Sequence, residues 1–341
     1  MGRAPSVGGM TRKIARPSWD ALTVRDNCHF GPDCHPMADL LPGEVLEVET
    51  WDAYAGVITH EMTLERALER GPLPFKNPIT GPFYVRGAEP GDVIVAEILD
   101  IKVADEGVTL VKPRSGIMKR KLEAKAITKF SEIEGRTAKF RLRDEATIPI
   151  PIRPFIGTVG VAPRRRMVPT TVPGRHGGNM DAQEVGPGSR LRLPVQVEGA
   201  LFGLGDVHAV QGDGELCGTA LEVPAVVSLR IDIEKGKKIS WPMVEDEEEF
   251  MVICSHADLE KCIEAATIEM MKWLRVEYGL SHEDAYMLLS LVAKIRVAQV
   301  VNPLHTVALK LQKALLAPLR GGSIRTENRP SRSFPPSARL P

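Results

Sequence analysis

Residues 89–97 read Glu89-Pro90-Gly91-Asp92-Val93-Ile94-Val95-Ala96-Glu97, a turn that runs straight into an extended segment. Proline presets φ and glycine supplies the positive φ of a type II turn, while the aliphatic residues that follow are typical of a strand. The same design occurs at Leu41–Glu49 and Gly186–Leu193. These three segments predict strands that begin directly after Pro-Gly turns.

Short β-rich runs separated by Pro, Gly and Asp extend from about Ala38 to Ile233, and a helical pattern interrupts them only near Met62–Arg70. Frequent short strands between turn signals are typical of sandwiches and barrels. We therefore expect a mainly β fold, with a jelly-roll- or barrel-like β-sandwich body.

Two helices are predicted after Asp246. Ser255 with Asp258 resembles a capping box, and Gly279 provides a stop signal. Ser281 and Asp284 repeat the capping signature. The first apolar stripe comprises Leu259, Cys262, Ile263, Ala266, Met270, Met271 and Leu274, and the second comprises Ala285, Leu288, Leu289, Val292, Ile295 and Val300, ending near Asn302-Pro303. We expect a C-terminal α-helical pair packed on the β body.

These patterns divide the chain into four parts. A flexible N-terminal arm is predicted over residues 1–20, a β-rich body carrying the active site over 21–245, and a helical segment packed on that body over 246–319. Residues 320–341 are rich in Arg, Ser and Pro and poor in apolar side chains, which predicts a flexible tail.

Composition narrows the possible partners. The 341 residues contain 44 basic and 44 acidic side chains, and no basic stripe interleaved with aromatics occurs. We expect no nucleic-acid partner. The sequence shows neither the apolar core of a secretory signal nor an apolar run of membrane-spanning length, and its five cysteines are odd in number and sparse. We therefore expect a cytoplasmic protein with no membrane partner.

Potential metal ligands are concentrated in His176–Asp181 and Gly205–Gly218. In an extended strand alternate side chains share a face, so Asp206 and His208 are expected to point the same way. With Asp181 they form the predicted ligand set for a divalent metal that activates a water. Zinc is the ion expected first, with calcium or manganese as alternatives.

The same segments contain candidates for proton transfer and substrate binding. Glu215 is the first choice for the general base, and Asp213 is the second. Asn179, Gln211 and His176 are candidate substrate contacts, as donors to a developing oxyanion or as lining groups.

Other interpretations remain open at this point. Cys217 could act as a thiolate nucleophile activated by His208 or His176, or could be a small buried thiol. Asp and Asn beside Gly are also ordinary turn residues. A third possibility is a catalytically silent β-rich module that holds a structural ion.

The chain resembles the acetamidase/formamidase family. The matching segments are Asn77–Pro82, Gly87–Asp92, Ile156–Pro163, Gly177–Asp181, Gly199–Phe202, Gly205–Ala209 and Gly212–Ala220. The resemblance spans roughly Asp39 to Val307, and the departures lie in the His29–His35 loop and after Leu319.

This resemblance implies a mostly β protein with jelly-roll-like and barrel-like parts and C-terminal helices. It also implies hydrolysis of short amides such as formamide and acetamide to ammonia and a carboxylate, and assembly into a homodimer or larger homo-oligomer. Divalent metal is associated with the family, and the matching positions here are Asp181, Asp206, His208 and Glu215.

Overall fold

The computed structural model describes residues 11–121 and 125–320. Its strands are β1 (Arg12–Ile14), β2 (His29–Phe30), β3 (Ala38–Leu40), β4 (Val45–Thr50), β5 (Ile79–Val85), β6 (Val93–Val103), β7 (Glu106–Val111), β8 (Ile127–Glu134), β9 (Thr137–Arg141), β10 (Thr147–Pro151), β11 (Phe155–Gly160), β12 (Val168–Pro169), β13 (Gly177–Asn179), β14 (Arg190–Pro194), β15 (Phe202–Val210), β16 (Leu221–Val223), β17 (Ala225–Glu234), β18 (Met243–Glu245), β19 (Glu249–His256), β20 (Lys294–Gln299) and β21 (His305–Gln312). Its helices are α1 (Val24–Asn27), α2 (Leu64–Arg70), α3 (Leu259–Tyr278), α4 (His282–Val292) and α5 (Ala317–Arg320), with 3₁₀ turns at Trp19–Ala21 and Lys313–Leu316.

Two large sheets share one apolar core. The first has nine strands in the order β1-β4-β17-β6-β14-β18-β19-β21-β20. The second has ten, in the order β10-β9-β8-β7-β16-β15-β11-β13, with β5 paired to β15 and β3 paired to β5. Apolar side chains from both sheets meet in a single cluster, as in a β-sandwich.

The predicted Pro-Gly turns are confirmed. Gly43, Gly91 and Gly188 have φ of 83°, 100° and 86°, in the region that glycine adopts without steric cost. The strands that follow them are β4, β6 and β14. All three belong to the nine-stranded sheet.

Alternation along β19 divides the apolar residues between two cores. Met251 and Ile253 face the sandwich core, whereas Phe250, Val252 and Cys254 pack against α3 and α4. Successive side chains of a strand point to opposite faces, so one strand serves both layers. The helical pair therefore covers the outer face of the nine-stranded sheet, and the predicted mainly β fold with C-terminal helices is confirmed.

The helix caps agree with the prediction in part. The Asp258 carboxylate accepts a hydrogen bond from the Lys261 amide at 3.1 Å, and Gly279 ends α3 with φ of 67°. The predicted role of Ser255 was wrong, because this residue lies in β19. Ser281 caps α4, accepting from the Asp284 amide at 2.9 Å, as predicted.

The second apolar stripe does not continue as helix to Asn302. Helix α4 ends at Val292, and Ile295 lies in β20, paired with Leu309 of β21. The apolar residues after Val292 fit the spacing of a helix and also that of a strand, and pairing with β21 makes this segment a strand. Residues 246–319 thus contain β19, β20 and β21 of the nine-stranded sheet as well as the helices.

The described part of the predicted N-terminal arm contains ordered contacts. Strand β1 pairs in parallel with β4, and the Trp51 indole donates to the Pro17 carbonyl at 2.9 Å. Residues 1–10, and 321–341 of the predicted tail, lie outside the described residues. None of the helices in the described ranges has the length and apolar character that crossing a membrane requires.

Candidate functional site

The predicted ligand segments meet around β15 in the ten-stranded sheet. Strand β15 pairs with β11, β16 and β5, and β11 also pairs with β13. His208 of β15 stands directly opposite Glu222 of β16. The sheet therefore brings carboxylates and an imidazole together from segments that are distant in sequence.

Asp181, Asp206 and His208 come together as predicted. Each offers one ligand atom within 4.8 Å of the others, and each side chain is buried. Asp206 has φ of 54°, so β15 is not regularly extended there, yet its Oδ1 lies 3.4 Å from His208 Nε2. Ligand atoms of His208, Glu215 and Glu222 also lie within 4.8 Å of one another.

Gln211 determines which nitrogen of His208 faces the acidic cluster. Its side-chain amide donates to the carbonyl oxygens of Asp181 and Ala298, both at 3.1 Å, which leaves Oε1 to face His208 Nδ1 at 2.9 Å. Because Oε1 only accepts, Nδ1 must donate. His208 Nε2 is then directed at Glu222 and Asp206, so Gln211, a predicted substrate contact, fixes the orientation of a predicted ligand.

Three buried carboxylate oxygens of this cluster accept no hydrogen bond: Asp181 Oδ1, Asp206 Oδ1 and Glu222 Oε2. His208 Nε2 lies 3.0 Å from the Glu222 oxygen, but not in the direction of a good hydrogen bond. Burying several carboxylates without compensation costs several kcal/mol for each ion. Oxygen donors with one imidazole are the ligands that zinc, manganese and calcium accept, so this cluster fits a divalent cation.

Burial and mutual repulsion shift the pKa values of the cluster. Burial raises the pKa of Asp181 to about 7, with a further contribution from Asp206, against the charge of His208. Burial, and then the charge of Asp181, raise the pKa of Glu215 well above its ordinary value. Burial also raises the pKa of Glu222. The pKa of His208 is raised well above its ordinary value, because the charges of Glu222 and Asp206 outweigh the lowering effect of burial.

Amides and a hydroxyl hold the second oxygens of the ligand carboxylates. Asp206 Oδ2 accepts from Asn77 Nδ2 and, at 3.0 Å, from Thr158 Oγ1. Asp181 Oδ2 accepts from Asn302 Nδ2 at 2.6 Å. Asn179 belongs to the same network, since its Oδ1 accepts from Asn77 at 3.1 Å and, at 2.6 Å from Thr158 Oγ1, shares the single hydroxyl hydrogen of Thr158 with Asp206 Oδ2.

Gly157 lies against the back of the cluster. A Cβ at this residue would lie 2.7 Å from Asp181 Oδ1 and 2.9 Å from His208 Cε1. Any side chain would displace one ligand or the other. The arrangement of Asp181 and His208 therefore requires glycine at this position.

Three predicted site residues lie away from this arrangement. Asp213 has a side chain that is 61% exposed and is paired with Arg296. The Cys217 thiol donates to the Thr219 carbonyl at 3.3 Å. His176 packs edge-on against Phe30, 5.5 Å between ring centroids, and burial lowers its pKa to about 4.

Several residues of the site lie outside the predicted set. Glu222 is a single acid within an apolar strand, a pattern that could have marked it. Asn77 and Thr158 belong to the family-like segments, whereas nothing in the sequence pattern around Asn302 distinguished it from the end of a helix. Tyr54 is buried beside the cluster. Burial raises its pKa well above the ordinary value, and the charges of Glu222, Asp206 and Glu215 raise it further.

Comparison with known proteins gives a consistent result. The sequence profile described as the Acetamidase/Formamidase family matches residues 14–171 and 165–313. The crystal structure of an acetamidase from Bacillus halodurans superposes with a TM-score of 0.81 at 33% identity, covering 90% of this chain and 99% of that one. A predicted acetamidase/formamidase from Thermoanaerobacter tengcongensis gives 0.82 at 31% identity, covering 91% and 98%. An acetamidase of Mycolicibacterium smegmatis is 26% identical over 268 residues, 60% of this chain and 65% of that protein.

The raised pKa values predict how the stability of the metal-free protein depends on pH. Asp181, Glu215, Glu222 and His208 all bind protons more tightly in the folded protein than in the unfolded chain. The free energy of unfolding should therefore fall as pH rises from about 5 to 8. Thermal unfolding in the presence of a chelator measures this slope.

Asp181→Asn should flatten that slope, whereas Asp213→Asn, a matched change at an exposed carboxylate, should leave it unchanged. Added divalent ion should stabilise the protein more at pH 8 than at pH 5, because its ligands must lose their protons. A metal-free protein that gains stability over this pH range would contradict the assignment.

Proposed function

Because this chain belongs to the acetamidase/formamidase family, and is thereby a hydrolase of carbon–nitrogen bonds in linear amides, we propose that its substrates are short aliphatic amides such as formamide and acetamide. The products are ammonia and the carboxylate. The observation that supports a metal-assisted reaction is the set of buried carboxylate oxygens without hydrogen bonds around His208 Nε2.

Asp181, Asp206 and His208 are the proposed ligands of a divalent ion, with zinc as the first candidate and calcium or manganese as alternatives. Each carboxylate has one oxygen held by side-chain donors and one free toward the cluster. A divalent ion bound there would polarise the amide carbonyl and lower the pKa of the attacking water. Glu222 adds a further carboxylate oxygen beside His208 Nε2.

Glu215 is the proposed general base and acid. Its carboxyl belongs to the same cluster and is buried, and the neighbouring Asp181 contributes to its raised pKa. A divalent ion bound beside Asp181 would lower the pKa of Glu215, against the effect of burial and of the Asp181 charge. This favours a pKa at which Glu215 can both accept and release a proton. We assign to Glu215 the transfer of a proton from the attacking water to the departing nitrogen.

Asn179 is the proposed donor to the amide oxygen. Thr158 and Asn77 hold Asn179 Oδ1, so the Asn179 Nδ2 group points away from these two residues. His176 is assigned a lining role at most, because it packs against Phe30 and its pKa is low. A site this closely packed favours small planar substrates.

A thiol mechanism through Cys217 has less support. Activation of the thiol requires a base within hydrogen-bond reach. Both ring nitrogens of His208 face other partners, Gln211 on one side and Glu222 with Asp206 on the other. The contact made by the Cys217 thiol is with Thr219.

We also propose that the protein acts in the cytoplasm as a homodimer or larger homo-oligomer. All five cysteines are free, which fits a reducing compartment. Helix α4 exposes Tyr286, Met287 and Leu291, the last with 82% of its surface accessible, and apolar groups of this size are typical of interfaces. Light scattering of the purified protein should give a mass above that of one chain.

The first test of the proposed reaction is ammonia release from formamide, acetamide and propionamide before and after chelation. We expect turnover to disappear with the ion and to return with zinc, manganese or calcium restored singly, because in the proposed reaction the ion activates the attacking water. Turnover that is indifferent to chelation would contradict the metal assignment. Bound metal without turnover of any short amide would favour a silent binding module.

Glu215→Gln should reduce ammonia release by at least about 100-fold, because the proton-transferring carboxylate is lost. Metal content and thermal stability should be retained, since the amide is nearly isosteric. Cys217→Ser is the comparison variant and should keep most of its turnover. Retained turnover in Glu215→Gln, or loss confined to Cys217→Ser, would overturn the assignment.

A further inference from the structure

The turn between β20 and β21 reaches from the nine-stranded sheet into the site of the ten-stranded sheet. Asn302 in this turn donates from Nδ2 to Asp181 Oδ2 at 2.6 Å and to the Asn179 carbonyl at 3.2 Å. Asp181 is one of the proposed metal ligands, and its Oδ1 accepts no hydrogen bond. A side chain from the other sheet thus holds one oxygen of a ligand carboxylate and leaves the second toward the cluster.

Gln299 shapes this turn from within. It is fully buried, its Oε1 accepts from the amides of Val301 and Asn302, both at 2.9 Å, and its Nε2 donates to Leu304 and Thr306. All these bonds are local to the turn. The backbone of Asn302 is therefore placed before any ion binds.

The same hairpin also holds the segment that contains Glu215. The Gly214 amide donates to the Val297 carbonyl at 3.0 Å, and the Val300 amide donates to the Gly214 carbonyl at 3.1 Å. Gln211, which orients His208, donates to the Ala298 carbonyl. The hairpin therefore contacts the residue that orients the proposed ligand His208 and the segment that contains the proposed general base Glu215.

Resting on the metal site proposed above, we infer that Asn302 is a positioning residue that aims Asp181 Oδ1 at the ion. A carboxylate free to rotate about its last side-chain bond presents either oxygen, or neither, to an ion. The hydrogen bond from Asn302 removes that freedom, and the absence of a side chain at Gly157 leaves room for Oδ1 beside the His208 ring. Outer partners of this kind typically change metal affinity by 10- to 100-fold.

The test measures metal binding directly, with Zn²⁺ in competition with a chromophoric chelator and with Co²⁺ followed by its visible absorption. We expect Asn302→Ala to weaken Zn²⁺ binding about 10- to 100-fold and to alter the Co²⁺ spectrum, because Asp181 loses its fixed orientation. Asn302→Ser, which keeps a shorter donor, should lie between this variant and the unmodified protein. Val301→Ala is the matched control, because it shortens a neighbouring side chain and leaves both backbone bonds to Gln299 in place.

The possible outcomes separate this inference from the proposed function. If the unmodified protein binds Zn²⁺ tightly and Asn302→Ala binds it equally well with an unchanged Co²⁺ spectrum, Asn302 does not position Asp181. If Val301→Ala loses as much affinity as Asn302→Ala, the turn acts only through general packing and the inference fails. If the unmodified protein binds neither ion, the proposed metal site itself is wrong. Thermal unfolding of each metal-free variant shows whether the variant is folded. If Asn302→Ala does not fold, Asn302→Ser is used in its place.

Discussion

Four buried carboxylates repel one another in the site, and the surrounding structure has to compensate for that repulsion. Asp181, Asp206, Glu215 and Glu222 lie around one imidazole, and three of their oxygens accept no hydrogen bond. Such a group is costly in a protein interior unless a cation balances it. Amide and hydroxyl donors hold the second oxygens of Asp181 and Asp206 in place, and the His208 ring lies against Asp206 and Glu222.

The two-sheet architecture explains how these donors reach the site. Strands β11, β15 and β16 supply Thr158, Asp206 with His208, and Glu222. Asp181 follows β13, and Glu215 lies in the connection between β15 and β16. The nine-stranded sheet contributes Asn302 through a hairpin turn. The apolar core between the sheets fixes their relative placement, so the hydrogen bond from Asn302 to Asp181 depends on packing far from the site. Stability of the sandwich and geometry of the site are coupled in this way.

Local signals predicted the features that depend on a few neighbouring residues. The Pro-Gly turns before β4, β6 and β14, the Asp258 and Ser281 caps and the Gly279 stop all involve φ preferences or hydrogen bonds within four residues. Ser255 and the stretch after Val292 were predicted wrongly because strand pairing with β21 outweighs local preference there. Asp206 and His208 do converge, although a left-handed residue within β15, rather than simple alternation, accompanies that convergence.

Composition, turn chemistry and periodicity act over short distances, so they were enough to specify the mainly β class, the two helices and the acids and histidines available for a site. The sequence also carried the family resemblance. Which of those acids and histidines meet was settled by the fold. It directed Asp213 to Arg296 at the surface, turned Gln211 toward His208, and brought in Glu222 and Asn302 from distant segments. The reason is physical: hydrogen bonding and burial depend on neighbours in space, and the pairing of strands that are far apart in sequence sets those neighbours.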